Sequence, residues 1–117
     1  MAHPAPPPDA SLSVFDRADA LSRIAEDEAL LDTLLEMFIA NAPDYLGEID
    51  AALSPPDWPR LARAAHTLKS ILATFSAGRG EAAAQALERA ARSEDAVASR
   101  DSAKLTRAEV ATFLQAL

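Results

Sequence analysis

The sequence contains no cysteine, only three glycines, and aromatic residues at just 5% of its 117 positions. Without cysteine, disulfides and thiolate metal sites are excluded. Little glycine and few aromatic side chains, in a chain that is 50% hydrophobic and rich in alanine, favour closely packed helices over a sheet. We therefore expect an all-α protein with a single core, because a chain of this length supports one domain better than two.

Long apolar runs and an excess of positive charge are also missing. No stretch reaches the roughly 20 apolar residues that cross a bilayer, and the first residues lack the basic and apolar regions of a secretory signal. Eleven basic against eighteen acidic residues give a net charge of −7, which disfavours binding to nucleic acid and to anionic lipid. We expect a cytoplasmic protein that binds neither nucleic acid nor a membrane.

Proline is concentrated at the start of the chain, at Pro4, Pro6, Pro7 and Pro8. This density predicts an unpacked, disordered tail over residues 1–12, followed by one helical domain over residues 13–117. His3 in the tail is interpreted as a solvated residue, because no second histidine or carboxylate lies at a ligand spacing. We predict no metal site and no cofactor.

Apolar residues at helical spacing predict five helices, over about residues 15–25, 27–53, 58–78 and 81–98 and from 102 to the end. Pro43 interrupts the second and predicts a kink or a break one turn earlier. Asp57 is the predicted cap of the third helix, with Pro59 in its first turn. Gly78 and Gly80 are interpreted as the end of that helix.

The third helix carries the residue that could perform chemistry. Its predicted inner side has apolar residues spaced 4, 3, 4 and 3 apart, at Leu61, Ala65, Leu68, Leu72 and Phe75. Phe38 and Phe113 join Phe75 in the predicted core. Helical geometry then puts His66 beside the inner side, facing solvent, among the small residues Ala62, Ser70 and Ala73. A bulky partner could therefore reach the imidazole.

The charge of the third helix is opposite to that of the chain. Between Trp58 and Gly80 there are four basic residues and no acidic one. This stretch is therefore +4 in a chain of −7, which leaves −11 on the remainder. Such a helix suits an anion or an acidic partner surface. Lys69, one turn after His66, could place its ammonium beside a phosphoryl group.

Two interpretations remain open for three other residues of this helix. Arg60 and Arg63 either dock a partner or form surface ion pairs with acids of the second helix. Trp58 either contacts a partner or packs over the end of the bundle.

A neutral imidazole has a free nitrogen lone pair that can attack phosphorus. The sequence has no phosphate-binding glycine-rich loop, no nucleotide motif and no clear carboxylate cluster for Mg²⁺ near His66. It also lacks the paired Glu-x-x-His pattern of metal-dependent bundle enzymes. We therefore predict a phosphoryl carrier that is not itself an enzyme.

Several stretches of the sequence resemble histidine-containing phosphotransfer (HPt) domains. His66-Thr67-Leu68-Lys69-Ser70 matches the family pattern H-x-L-K-[GS]. Residues 34–43 resemble the family's long helix, with its phenylalanine and following proline, and Ala86-Leu87-Glu88 resembles the leucine-glutamate pair of a later helix. The resemblance covers about residues 15–114. It implies an antiparallel four-helix bundle with an additional short N-terminal helix.

The same resemblance implies a phosphohistidine intermediate in a multistep two-component phosphorelay. His66 corresponds to the phosphoacceptor, and Lys69 to the residue that orients the phosphate. Ser70 and Ser76 stand where glycines are commoner, so the turn at Ser76 is expected to differ. Glu88 falls where some members have an amide near the histidine, and it is included with Arg60 and Arg63 as a docking residue.

The partners implied by the resemblance are the receiver domains of response regulators, with a hybrid histidine kinase as a further candidate. In this interpretation His66 accepts phosphoryl from a receiver aspartate and passes it to another receiver. The alternative is an HPt-like helical adaptor that is not phosphorylated and binds a receiver or a kinase as a regulator.

Overall fold

The protein, in a computed structural model that describes residues 12–117, is built from five α-helices, with no β-strand in that range. The helices are α1 (Arg17–Ser22), α2 (Glu28–Leu53), α3 (Trp58–Thr74), α4 (Gly78–Arg92) and α5 (Ala96–Gln115). The all-α prediction is confirmed. Residues 1–11, which include His3 and almost all of the predicted proline-rich tail, lie outside the described residues.

Aspartate side chains begin four of the helices. Each accepts a hydrogen bond of 2.9–3.2 Å from the backbone N–H three residues later, which satisfies a donor that has no partner within the helix. These residues are Asp16, Asp27, Asp57 and Asp95. The predicted Asp57 cap of α3 is confirmed, and Pro59 lies in the first turn, where a missing N–H costs no helical bond. The start of the helix that carries His66 is therefore defined locally.

Helix α1 is shorter than its predicted range of 15–25 because the chain reverses directly after it. Ala25 and Glu26 have left-handed backbone angles, with φ of 56° and 60°. The N–H of Glu26 donates to the carbonyl of Leu21 at 2.9 Å, which closes the helix. Asp27 alone then separates this turn from α2 and begins that helix.

Pro43 lies inside α2, and the helix continues through it from Glu28 to Leu53. The break predicted one turn earlier is therefore absent. Proline removes the hydrogen bond to the carbonyl of Ile39, but Ile39 and Pro43 are both exposed, so water can solvate that carbonyl. The adjacent residues Phe38 and Ala42 are buried and hold the helix against the core.

The predicted boundaries of α4 are wrong at both ends. Gly78 and Gly80 begin α4 instead of ending α3, and α4 stops at Arg92, six residues before the predicted Ala98. Gly80 is buried against α3, where an added Cβ would lie 3.0 Å from a methyl carbon of Leu72. This glycine therefore allows a close approach of α3 and α4. Asp95 then begins α5. The alanine-rich sequence on either side contains no local signal for the turn between α4 and α5.

The turn between α3 and α4 contains a residue with left-handed backbone angles that is not a glycine. Ser76 has a φ of 53°, a conformation that is costly for a residue with a side chain. Its hydroxyl donates to the carboxylate of Asp19 on α1 at 2.5 Å. The serine therefore adopts the turn that a glycine would form and ties α1 to the end of α3.

Helices α2 to α5 pack in a closed order, with α3 against α4, α4 against α5, α5 against α2, and α2 against α3. Phe38, Phe75 and Phe113 meet in the core with ring centroids 5.5–5.9 Å apart, as predicted. Leu117 lies beyond the end of α5 at Gln115 and is exposed. No helix within residues 12–117 has the length and apolar composition needed to cross a membrane.

Candidate functional site

His66 projects from the middle of α3 on the side away from the core. Its inner neighbours on the helix, Leu61, Ala65, Leu68 and Leu72, are each at most 1% exposed. The His66 side chain is 56% exposed. The predicted division of α3 into a buried apolar side and an accessible histidine is therefore observed.

Glu88 of α4 lies behind the imidazole, between α3 and α4. The inner side of α4 is formed by buried alanines and Leu87, which let the two helices approach closely. The Glu88 side chain is only 8% exposed, and its two oxygens lie 3.2 and 3.3 Å from Nδ1 of His66. Glu88 was predicted to be a docking residue, but its side chain is buried beneath the histidine and does not lie on the outer surface.

Two cations also bind the Glu88 carboxylate. Nζ of Lys69 lies 2.6 Å from Oε1, and the guanidinium of Arg92 donates to Oε2 from Nη2 at 2.7 Å and from Nε at 3.2 Å. The hydrogen bond from Lys69 is the largest cause that lowers the pKa of Glu88, from 4.5 to about 2. Burial opposes this effect, and Arg92 and His66 add to it. Glu88 is therefore ionised at neutral pH.

The ionised carboxylate determines how the imidazole is oriented. Because a carboxylate can only accept hydrogen bonds, Nδ1 of His66 carries the hydrogen and donates it to Glu88. In the neutral ring, Nε2 then has the free lone pair, and it has no hydrogen-bond partner within residues 12–117. The nitrogen that can act as a nucleophile is thus the one that does not face the buried acid.

An open hollow of about 340 Å³ adjoins the imidazole. It is lined by Ala62, Arg63, His66, Thr67 and Arg92. Two of these five side chains are arginines, so the surroundings of the histidine favour an anion. Among residues 12–117, no group of three histidine, aspartate or glutamate side chains could hold a metal ion.

Sequence reasoning missed Arg92. Its position relative to His66 depends on how α3 and α4 pack, which no local pattern states. A signal was nevertheless present, because Arg92 follows Glu88 by four residues, the spacing at which side chains on one helix meet. Placing Glu88 at the histidine would therefore have placed Arg92 there as well.

The small residues predicted around His66 occupy different positions. Ala62 lines the hollow. Ser70 is exposed, and its hydroxyl donates to the carbonyl of His66 at 3.0 Å, so it bonds its own helix. Ala73 lies in the last turn of α3, where its carbonyl accepts a hydrogen bond of 3.3 Å from Arg23. Of the three, Ala62 is therefore the one that lines the hollow beside the imidazole.

The structure gives different surroundings to the three residues of α3 that had two interpretations each. Arg60 binds Glu48 of α2 through two hydrogen bonds of 2.5 and 3.0 Å, which is the predicted ion pair with an acid of the second helix. Arg63 is exposed and, among the described residues, forms no ion pair. Trp58 is half-buried and packs against the core. Arg63 is therefore the arginine of α3 that stays available to an anion.

The lowered pKa of Glu88 predicts an acid-sensitive contribution to stability. The folded-state pKa lies below the unfolded value of 4.5, so this contribution is complete above about pH 4.5 and is lost as the pH falls toward about 2. Between pH 5 and pH 3, at about 1.4 kcal/mol per pKa unit, the free energy of unfolding should fall by about 2 kcal/mol more in the parent than in Glu88→Gln. Urea denaturation at several pH values measures this difference, and parallel curves for the two proteins would contradict it.

Comparison with known proteins identifies the family of the chain. The family model of the Hpt domain matches residues 33–117, which is most of the chain and includes His66, Lys69, Glu88 and Arg92. The chain therefore belongs to the Hpt domain family, and the predicted resemblance is confirmed. Domains of this family are phosphocarriers that take part in histidine phosphotransfer in two-component phosphorelays. No curated protein and no solved structure matched the chain.

Proposed function

We propose that this protein carries a phosphoryl group on Nε2 of His66, accepting it from the aspartate of one receiver domain and passing it to another. The observation that carries the proposal is the orientation of the imidazole, since Nδ1 faces the buried, ionised Glu88 while the ring is more than half exposed. A partner can therefore reach the nucleophilic nitrogen.

The transfer balances without any further reactant. The lone pair on Nε2 attacks the phosphorus of an aspartyl phosphate, a P–N bond forms, and the P–O bond to the aspartate breaks. The bonding electrons leave with the aspartate carboxylate. The hydrogen on Nδ1 remains there, and its bond to Glu88 strengthens because the ring has become cationic. Attack by the aspartate of a second receiver reverses these changes.

This chain and the receiver domain supply different groups for the transfer. It provides the nucleophile, the carboxylate that orients it and the arginines near it. We propose that the receiver provides the acyl phosphate and the divalent cation that neutralises it. The receiver of a hybrid histidine kinase is one candidate donor. The chain then acts as a substrate and product of transfer and not as an enzyme.

For the fold, we propose that α2 to α5 form an antiparallel four-helix bundle, with α1 as the additional N-terminal helix and residues 13–117 as one module. The closed packing order supports this arrangement. So do the connections of three or four residues between consecutive helices, because connections this short favour antiparallel neighbours.

The proposal is tested by phosphoryl transfer from purified receiver domains. A panel of receivers labelled on their aspartates should, in the presence of Mg²⁺, pass the label to this chain for at least one member. The label should be acid-labile and stable in alkali, as expected for a phosphohistidine. Tight binding of a receiver with no transfer would contradict the proposal and would favour the adaptor alternative.

A further inference from the structure

We propose that Arg92 leaves Glu88 and binds the phosphoryl group once it is on His66, while Lys69 stays bound to Glu88. This inference rests on the proposed phosphotransfer at His66. It assigns a phosphoryl-binding role to a residue of α4 and gives Lys69 a positioning role that differs from the one expected from the sequence.

The two cations hold Glu88 from different sides. Lys69 is 24% exposed and bonds Oε1 at 2.6 Å, whereas Arg92 is 66% exposed and bonds Oε2. The lysine is thus enclosed between α3 and α4, and the arginine lies at the edge of the site. A partly buried charge regains less hydration than an exposed one when its ion pair is broken. Arg92 is therefore the cation that can leave the carboxylate at lower cost.

Arg92 also borders the space that the phosphoryl group would enter. A group on Nε2 projects from the edge of the ring that does not face Glu88. The hollow beside the ring is lined by both Arg92 and His66, and Lys69 is not among its lining residues. A guanidinium can bind two phosphoryl oxygens at once with its planar N–H groups, which an ammonium cannot match.

The charges of the site favour the exchange. Before transfer, one carboxylate faces Lys69 and Arg92, which leaves the cluster with one excess positive charge. Transfer adds a phosphoryl group of about two negative charges and makes the imidazole ring cationic. Glu88 then retains the hydrogen bond from Lys69 and gains a stronger one from Nδ1–H. Its negative charge therefore remains compensated when Arg92 leaves. The phosphoryl group would otherwise lack a bound cation from this chain unless Arg63 supplied one.

The experiment forms phosphohistidine with phosphoramidate, a small donor that releases ammonia and needs no receiver. Arg92→Gln is compared with Arg89→Gln, a matched control that removes the same charge from an exposed position on the same helix. We expect Arg92→Gln to form phosphohistidine about 10-fold more slowly, in keeping with the loss of a charge-assisted hydrogen bond. We also expect it to move the ³¹P resonance of the phosphohistidine, with Arg89→Gln matching the parent in both measurements.

The possible results are distinguishable. If Arg92→Gln matches the parent in rate and in ³¹P resonance, the assignment of Arg92 is wrong while phosphotransfer at His66 stands. If Lys69→Gln moves the resonance and Arg92→Gln does not, Lys69 is the phosphoryl-binding residue and the inference is overturned. If the parent forms no phosphohistidine with phosphoramidate or with any receiver, the proposed function itself fails.

Discussion

Replacing His66 with glutamine should abolish the phosphoryl label on this chain. Glutamine fills a similar volume, but its amide nitrogen has no available lone pair with which to form a P–N bond. The side chain is mostly exposed and hydrogen-bonds to Glu88, an interaction that glutamine can also make, so the free energy of unfolding should change by less than about 1 kcal/mol. Transfer from a labelled receiver, followed by gel separation, measures the loss.

The chain contains its own matched control for this prediction. Its only other histidine is His3, and His3→Gln should keep the full label at the parental rate. A label that survives in His66→Gln but disappears in His3→Gln would move the phosphoacceptor to His3. Urea denaturation of both variants verifies that neither result comes from unfolding.

Replacing Glu88 with alanine should slow phosphoryl uptake by about 10-fold to 100-fold, by analogy with metal-binding histidines that lose the group that orients them. Without the carboxylate, nothing in the described site selects the form of the ring that has its hydrogen on Nδ1. Lys69 and Arg92 also lose their shared partner. Both changes leave fewer molecules with Nε2 ready for attack.

Glu88→Gln separates orientation from charge. The amide oxygen of glutamine can still accept the hydrogen bond from Nδ1, so uptake should stay within about 3-fold of the parent if orientation is the main contribution. The ¹⁵N chemical shifts of the His66 ring report which nitrogen carries the hydrogen, a property that a purely structural role would not change. Parental uptake and parental ¹⁵N shifts in Glu88→Ala would show that Glu88 does not orient the ring.

Much of α3 could be predicted because its information is local. The Asp57 cap, Pro59 in the first turn and the spacing of the inner leucines all act within one helix, and the structure reproduces each of them. The same spacing puts His66 beside the inner side and within reach of solvent, as the structure shows.

The helix boundaries around α4 could not be predicted in the same way. Gly80 is a terminator by local propensity, yet it lies within a helix because Leu72 of α3 packs where its side chain would be. Ser76 keeps the left-handed turn by bonding Asp19 of α1, 57 residues away in sequence. Contacts between helices outweighed local preference at both positions.

Local sequence is enough to specify an all-helical chain and a histidine on the open side of its third helix, because helical periodicity and capping act over a few neighbouring residues. The surroundings of that histidine depend on the packing of the helices. Glu88 and Arg92 lie 22 and 26 residues after His66 and reach it because α4 packs closely against α3. The relative rotation and depth of two packed helices depend on side chains from both, and no single stretch of sequence contains that information.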